Sequence, residues 1–216
     1  MVDWFIGKGK RKSTGASASA TATSDDKKLF LDPQYIDSHI VDGDLRQMVL
    51  LPPGTDKNEW IASQTLAYFN HFNLIYGAIS EMCTPVSCPL MTAGSTVYTW
   101  HDDKHKKVKL SAPQYVDLIM TTCQKQLQDE SLFPTKFGQD FPSHFVTSIR
   151  KIYRWLFHVG SHVYQHHYQD IIDLHLCKHL NTLFTHFIFF SNEFELLDSK
   201  DLSPLADLVE NILGRH

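Results

Sequence analysis

The sequence has no run of 18 apolar residues, so we expect no transmembrane helix. Near its start only residues 4–6 are strongly apolar, fewer than the roughly 7–15 that a signal peptide needs. Position 2 is Val rather than Gly and no prenylation motif ends the chain, so we expect no lipid anchor. We therefore expect the reducing cytoplasm, with the nucleus as an alternative because a basic cluster spans Lys8 to Lys12.

Cysteine is scarce, and the sequence lacks an excess of positive charge. The four cysteines are Cys83, Cys88, Cys123 and Cys177, and in a reducing compartment such residues are more often metal ligands or buried thiols than disulfides. The net charge of −4 disfavours nucleic acid as a partner, because phosphate binding needs a clustered basic surface. No His-Glu-x-x-His string occurs, so a zinc hydrolase is disfavoured too.

The first 28 residues differ in composition from the rest. Between residues 7 and 28 no apolar side chain is larger than Ala, so this stretch buries too little surface to offset the entropy of ordering it. We predict a disordered tail over residues 1–28 and one folded domain over residues 29–216.

Apolar side chains recur at alternating steps of three and four in three long stretches, which predicts amphipathic helices. Asp56 is the expected N-cap of the first. The three stripes are Ile61, Thr65, Tyr68, Phe72, Ile75 and Ile79; Phe145, Ile149, Ile152, Leu156, Val159 and Val163; and Leu176, Leu180, Leu183, Phe187, Phe190, Phe194 and Leu197. The second helical region is predicted to extend from about residue 140 to residue 176.

Shorter elements complete the predicted fold. A helix is expected after Ser111 and another over residues 202–213. Alternating residues over 96–100 and 108–110, separated by a polar turn over 101–105, predict a β-hairpin. The fold class is therefore all-α, a helical bundle with one short β-hairpin.

Cysteine and histidine spacing predicts a structural zinc site. Cys83 and Cys88 lie in one loop, and His162, His166 and His167 lie on one predicted helix. Two thiolates and two imidazoles make a closed tetrahedral set with no position for water. His162 and His166 share a helix face, whereas His167 is closer to the buried stripe, so the residues alone leave the fourth ligand open. The alternative to a zinc site is that the two cysteines are free thiols and the histidines have no role with them.

The first long helix carries a second stripe, formed by Trp60, Gln64, Ala67, His71 and Leu74. A helix with one buried face usually has a charged opposite face, whereas this stripe is apolar or uncharged. Either a second layer of the same domain covers the stripe, or it is a partner-binding face, for which Trp is a favoured residue type.

The sequence resembles the Mob family of kinase activators over nearly all of residues 29–214. The strings that carry the resemblance are NEWIAS at 58–63, EMCTPVSCP at 81–89, SAPQYVDLIM at 111–120, LFPTKFG at 132–138, SHVYQHHY at 161–168 and HLNTLFTHFIFF at 179–190. The opening MVDWFIGKGK and the string FLDPQY at 30–35 resemble the second class of the family, whose partners are NDR-type kinases.

The resemblance implies a Mob/phocein fold with a structural Zn²⁺ held by Cys83, Cys88, His162 and His167, and no enzymatic activity. It implies a non-catalytic adaptor that binds the N-terminal regulatory segment of NDR-family Ser/Thr kinases and modulates their activity. The alternative is a phocein-type scaffold subunit of a phosphatase–kinase assembly. The implied partner-binding residues are Leu45, Met48, Glu59, Trp60, Ala67, His71, Leu74, Ile75, Leu174, His175 and His186.

Two features depart from the first class of the family. The position of Ala67 is acidic in that class and helps to bind LATS-type kinases, so Ala67 favours NDR-type partners. That class also binds phosphorylated peptides through three basic residues, where this sequence has Arg154, Trp155 and His158. A single fixed charge replaces three, which puts phosphopeptide binding in doubt.

Overall fold

Helices make up most of the chain. The structure is a computed structural model that describes residues 28–102, 104, 106–136 and 138–214, so the predicted tail lies outside the described residues apart from Lys28. The α-helices are α1 Pro33–Ile36, α2 Leu45–Val49, α3 Lys57–Ile79, α4 Ala112–Leu127, α5 Phe145–His166, α6 Tyr168–Asp173, α7 Cys177–Glu193, α8 Ser199–Leu202 and α9 Ala206–Gly214. Short 3-10 helices occur at Leu29–Leu31 and Ser203–Leu205. Among the described residues, no helix is long and apolar enough to cross a membrane.

Helix α3 begins where its sequence predicts. The side chain of Asp56 accepts hydrogen bonds from the backbone N–H groups of Asn58 and Glu59, at 2.8 and 3.2 Å. Such a cap satisfies donors that have no partner within the helix. The predicted stripe of α3 is buried except for Ile75, which is only partly buried. One face of α3 is therefore fixed in the core.

The core lies between α3, α5 and α7. Helix α5 packs against α3, and α7 packs against α2 and α3. Aromatic rings fill the space between them: Tyr153 stacks on Phe187 with centroids 5.1 Å apart, and Phe72 meets the same ring edge-on. Each such ring contributes roughly 1.5–3 kcal/mol by burial. The predicted stripe of α5 is buried throughout, which confirms a mostly helical fold.

Two hairpins occur where the sequence predicts one. The predicted hairpin is shorter and shifted: β3 Trp100–His101 pairs with β4 Lys107–Val108, so His101 lies in a strand and not in the predicted turn. The additional one pairs β1 Thr92–Ala93 with β2 Thr96–Val97 through a turn in which Gly94 has φ +56°. Gly tolerates this left-handed conformation, whereas most side chains do not. His105, which was predicted to lie in the turn of the second hairpin, lies outside the described residues.

The helical region predicted over residues 140–176 is divided. Helix α5 begins only at Phe145, three residues after Pro142, and ends at His166. His167 has φ −127° and ψ 14°, which is not a helical conformation, and α6 follows immediately. The continuous helix of the prediction is therefore wrong at this point, because hydrophobic periodicity carries no information about a single residue that leaves the helix.

Gly160 of α5 allows the closest approach of its neighbours. A Cβ atom at Gly160 would lie 3.0 Å from Cε1 of Phe72 and 3.1 Å from Cε2 of Phe184, and both rings are buried. We expect Gly160→Ala to lower the free energy of unfolding by about 1–2 kcal/mol, because overpacking outweighs the gain in helix propensity. Denaturant unfolding measures the change.

Gly77 of α3 is the matched control for this substitution. Nothing lies within 4 Å of a Cβ atom at Gly77, so Gly77→Ala should raise the free energy of unfolding by up to about 1 kcal/mol. Equal effects of the two substitutions would contradict the packing argument.

Candidate functional site

Four buried side chains converge on one point. The ligand atoms of Cys83, Cys88, His162 and His167 all lie within 4.8 Å of one another. Sγ of Cys83 is 3.5 Å from Nε2 of His162, and Sγ of Cys88 is 3.3 Å from Nε2 of His167. A tetrahedral zinc ion with bonds of about 2.0–2.3 Å needs separations of this order. The arrangement therefore fits a closed Cys₂His₂ metal centre.

The fold brings these residues together from two directions. Cys83 follows the end of α3, where its backbone N–H donates to the carbonyl of Ile79. Ser87 orders the loop between the cysteines, because its hydroxyl donates to the carbonyl of Met82 at 2.7 Å. His162 lies within α5, whereas His167 is the residue at which that helix ends. Leaving the helix allows His167 to face the same point as His162.

The second ring nitrogen of each clustered histidine has a hydrogen-bond partner. Nδ1 of His162 lies 2.8 Å from the carbonyl oxygen of Thr92, and Nδ1 of His167 lies 2.8 Å from Oδ2 of Asp170. Such partners orient a metal-binding imidazole and select its tautomer. His166 instead is exposed, and its Nε2 lies 2.9 Å from Oγ1 of Thr92. The structure thus places His167 in the cluster and His166 outside it.

Burial sets the protonation of the cluster in the absence of a cation. It raises the pKa of the Cys83 thiol to about 12 and lowers the pKa of His162 to about 4. A buried thiolate is costly because its charge loses hydration, and a bound cation offsets that cost. The neutral imidazole of His162 is already in the form that binds metals. The donor set thus suits a divalent cation.

A second feature is an apolar groove of about 560 Å³ between α2, α3 and α7. Seven of the predicted partner-binding residues line it, from all three helices. These are Leu45, Met48, Ala67, His71, Leu74, Ile75 and His186. The side chain of Leu74 is 69% exposed and that of Met48 is 46% exposed, so the groove presents large apolar surface to solvent. Exposed apolar surface of this kind is characteristic of interaction sites.

The other four predicted partner-binding residues do not line the groove. Glu59, Leu174 and His175 are exposed, and none of them lines the groove. Trp60 is partly buried in its own domain: its indole N–H donates to the carbonyl of Val49 at 3.2 Å, and its ring packs on Phe190. Of the two alternatives for the second stripe of α3, contact with another layer of the same domain therefore holds for Trp60.

Sequence reasoning missed several residues of the groove. The segment before α2 contributes Ile40 and Val41, and α7 contributes residues of its less buried side. These residues are His179, Thr182 and Leu183 of α7, and Leu176 directly before it. Leu176 and Leu183 belong to the predicted α7 stripe, and their partial burial shows that this stripe extends from the core into the groove. The periodicity of one helix does not show which of its apolar residues lie outside the core.

The three positions that match a phosphopeptide site have other roles. Nε of Arg154 pairs with Oδ1 of Asp201 at 2.9 Å, and Trp155 stacks on Trp100. His158 stacks on Tyr98 with centroids 3.8 Å apart, and burial lowers its pKa to about 3. At neutral pH, His158 is therefore uncharged, and the Arg154 guanidinium already has a carboxylate partner.

Comparison with known proteins identifies relatives over nearly the whole chain. The sequence model of the Mob1/phocein family matches residues 37–205. The chain is 45% identical over 209 residues to MOB kinase activator 2 of Mus musculus, covering 97% of this chain and 87% of that protein. The Homo sapiens protein of the same name is 45% identical, with 97% and 86% covered. MOB kinase activator-like 1A of Arabidopsis thaliana is 45% identical over 186 residues, with 85% and 86% covered.

Trp60 and Leu74 of α3 should respond differently to truncation. Trp60→Ala removes the hydrogen bond to Val49 and the contact with Phe190, so we expect it to lower the free energy of unfolding by about 2 kcal/mol. Leu74→Ala should change it by less than about 0.5 kcal/mol, because its side chain is 69% exposed. Denaturant unfolding of both variants measures this, and equal destabilisation would show that Leu74 also supports the fold.

Proposed function

Because the chain belongs to the Mob1/phocein family, we propose that it is a non-catalytic adaptor that binds the N-terminal regulatory segment of NDR-family Ser/Thr kinases and modulates their activity. Similarity to MOB kinase activators from a mammal and a plant supports the role of a kinase-regulating adaptor. The NDR-type partner rests on the class resemblance of the N-terminal strings and on the uncharged side chain of Ala67 in the groove.

The groove between α2, α3 and α7 is the observation that carries this proposal. Its walls are mainly apolar side chains, and it is open to solvent. An amphipathic helix can place its apolar face in such a groove, with anchors at helical spacing. Seven of the implied partner-binding residues meet there although they come from α2, α3 and α7. A kinase segment that is disordered when free would gain order by docking in it.

Four exposed acidic residues lie near the N-terminal ends of α2 and α3, two helices that form walls of the groove. Asp42, Asp44, Asp56 and Glu59 are all exposed, and they lie immediately before α2 or at the start of α3. Two of them also act as helix caps, since Asp44 accepts from the N–H of Arg46 and Asp56 from that of Asn58. Exposed carboxylates would steer the basic kinase segment that the resemblance implies, and added salt would weaken that attraction.

For the metal centre we propose a structural Zn²⁺. Cys83, Cys88, His162 and His167 would hold it, and hydrogen bonds donated by the Nδ1–H groups of the histidines to Thr92 and Asp170 would fix both imidazoles. When bound, the ion supplies a cross-link between the loop after α3 and the end of α5. Four protein ligands complete a tetrahedral set, which is the arrangement of structural rather than catalytic zinc sites. This donor set supports a non-catalytic protein.

Two adjacent histidines test the ligand assignment. We expect His167→Gln to abolish stoichiometric zinc and to lower the melting temperature on the order of 10 °C, because a buried metal cross-link is lost. His166→Gln should keep the zinc, since His166 is exposed and outside the cluster. Elemental analysis of purified protein, with thermal unfolding, measures both effects.

Cysteine substitutions provide an independent check of the same site. Cys83→Ser should lose zinc as His167→Gln does, whereas Cys123→Ala should retain it, because Cys123 is buried elsewhere. A full zinc complement in Cys83→Ser would show that the assignment is wrong.

Two exposed leucines of α3 test the docking groove. Leu74 lines it and is 69% exposed, whereas Leu66 is 50% exposed and does not line it. Leu74→Asp should weaken binding of an NDR-type N-terminal segment at least about 30-fold, the size of a hot-spot loss near 2 kcal/mol. Leu66→Asp should leave binding nearly unchanged. Calorimetric titration measures both, with thermal unfolding to confirm that each variant is folded.

Partner choice is tested with the same titration. The wild-type chain should bind the NDR-type segment more tightly than the matching LATS-type segment, because Ala67 offers no side-chain acceptor. Equal affinity for the two segments would contradict the NDR assignment, and no binding to either would contradict the adaptor proposal.

A further inference from the structure

A small cavity leads from the surface of the domain to the Cys₂His₂ cluster. Its volume is about 130 Å³, and Cys88 and His162 of the cluster form its buried side. The rest of its lining includes the exposed residues Pro89, Leu90 and His166. A polar cavity of this size has room for water. Because the four side chains of the cluster are only 1–7% exposed, a cation needs a passage of this kind to reach them.

His166 lies at the solvent side of this cavity. Its side chain is exposed, and its ring centroid is 4.8 Å from that of His162, one helical turn earlier on α5. Among the described residues that line the cavity, His166 is the only imidazole, thiol or carboxylate that does not belong to the cluster. His166 therefore places a nitrogen donor between solvent and the buried ligands.

Thr92 contacts both histidines, in different ways. Its carbonyl oxygen accepts from Nδ1 of the buried His162 at 2.8 Å, whereas its hydroxyl lies 2.9 Å from Nε2 of the exposed His166. When that hydroxyl donates, Nε2 of His166 carries the lone pair with which an imidazole binds a metal. Water can replace a single exposed hydrogen bond, and exposed side chains change rotamer within picoseconds to nanoseconds. His162 is thus held in place, while His166 is free to turn.

We propose that His166 is a transient ligand that transfers Zn²⁺ between solvent and the Cys₂His₂ cluster through this cavity. The inference rests on the structural Zn²⁺ proposed above, since it concerns how the same ion enters and leaves. On entry, His166 replaces one water of the hydrated ion. Cys88 and His162 then replace His166 and a further water, and the thiol of Cys88 releases its proton to solvent. Cys83, which also releases its proton, and His167 replace the remaining waters. Exit reverses these exchanges.

Stepwise exchange avoids a poorly coordinated cation inside the protein. If His162 dissociated before another donor had bound, the ion would lose a ligand in surroundings that hydrate it poorly, at a large desolvation cost. Zinc can expand from four to five ligands, so His166 can bind before His162 leaves. The bond to His166 is absent at the start and at the end of the transfer. His166 consequently lowers the barrier in both directions and leaves the equilibrium affinity for zinc unchanged.

The test measures zinc release from the full-length zinc-loaded chain to an excess of the chromophoric chelator pyridylazoresorcinol at pH 7.5. The wild type is compared with His166→Gln and with His166→Asp, which restores a metal-binding side chain. Thr92→Val removes the hydroxyl contact but keeps the imidazole, so it separates ligation from a packing role of His166. His144→Gln is the control, because His144 is exposed and outside the cavity. Zinc content, zinc affinity by chelator competition, and the unfolding rate by tryptophan fluorescence are recorded for each protein.

We expect His166→Gln to release zinc about tenfold more slowly than the wild type, with full zinc content and unchanged affinity. His144→Gln should stay within about twofold of the wild-type rate, since it leaves the cavity intact. Thr92→Val should release zinc at least as fast as the wild type, because Nε2 of His166 is no longer held. His166→Asp should recover most of the wild-type rate.

Four results would overturn the inference and leave the structural zinc standing. Equal or faster release from His166→Gln would show that His166 does not carry the ion, and equally slow release from Thr92→Val would make its role structural. Lower zinc affinity in His166→Gln would make His166 a resident ligand. Wild-type release at the rate of global unfolding would show that the ion does not pass through the folded domain. A wild type without stoichiometric zinc would overturn both the proposed zinc site and this inference.

Discussion

The close packing of α3 on α5 is the constraint on which both candidate sites depend. At Gly160 the rings of Phe72 and Phe184 occupy the space that any side chain would need. This contact fixes the end of α3, from which the chain continues into Cys83, against the end of α5, which carries His162 and His167. The buried face of α3 is thereby held in the core, and its other side forms a wall of the groove.

The three long helices could be predicted from sequence because apolar side chains recur along each at helical spacing, and the start of α3 also carries a capping residue. The Asp56 cap and the fully buried α5 stripe are examples, and both rest on local periodicity or on one capping residue. The β1–β2 hairpin was missed because β1, at residues 92–93, is too short to alternate, and residues 96–97 were assigned to the first strand of the other hairpin. Its only local signal is Gly94, which alone does not define a turn.

The cluster of two cysteines and two histidines shows where local sequence patterns stop being informative. Spacing identified Cys83, Cys88 and His162 as ligands but did not choose between His166 and His167 as the fourth. On an ideal helix His166 shares a face with His162, whereas His167 lies closer to the buried stripe. The structure separates them through one non-helical residue: His167 turns inward with Asp170 as its partner, and His166 stays exposed. Trp60 shows the converse: its periodicity left both a second layer of the domain and a partner face open, and in the structure its indole N–H donates to Val49 of α2.

The surface near Arg154 and the groove between α2, α3 and α7 differ in the charged side chains that they present. At the positions that match a phosphopeptide site, Arg154 is paired with Asp201 and His158 is held neutral among aromatic rings, so neither presents a free positive charge. In the groove no side chain of fixed charge occurs among the described lining residues. Affinity there must come from burial of apolar surface, which acts over short range and depends on desolvation.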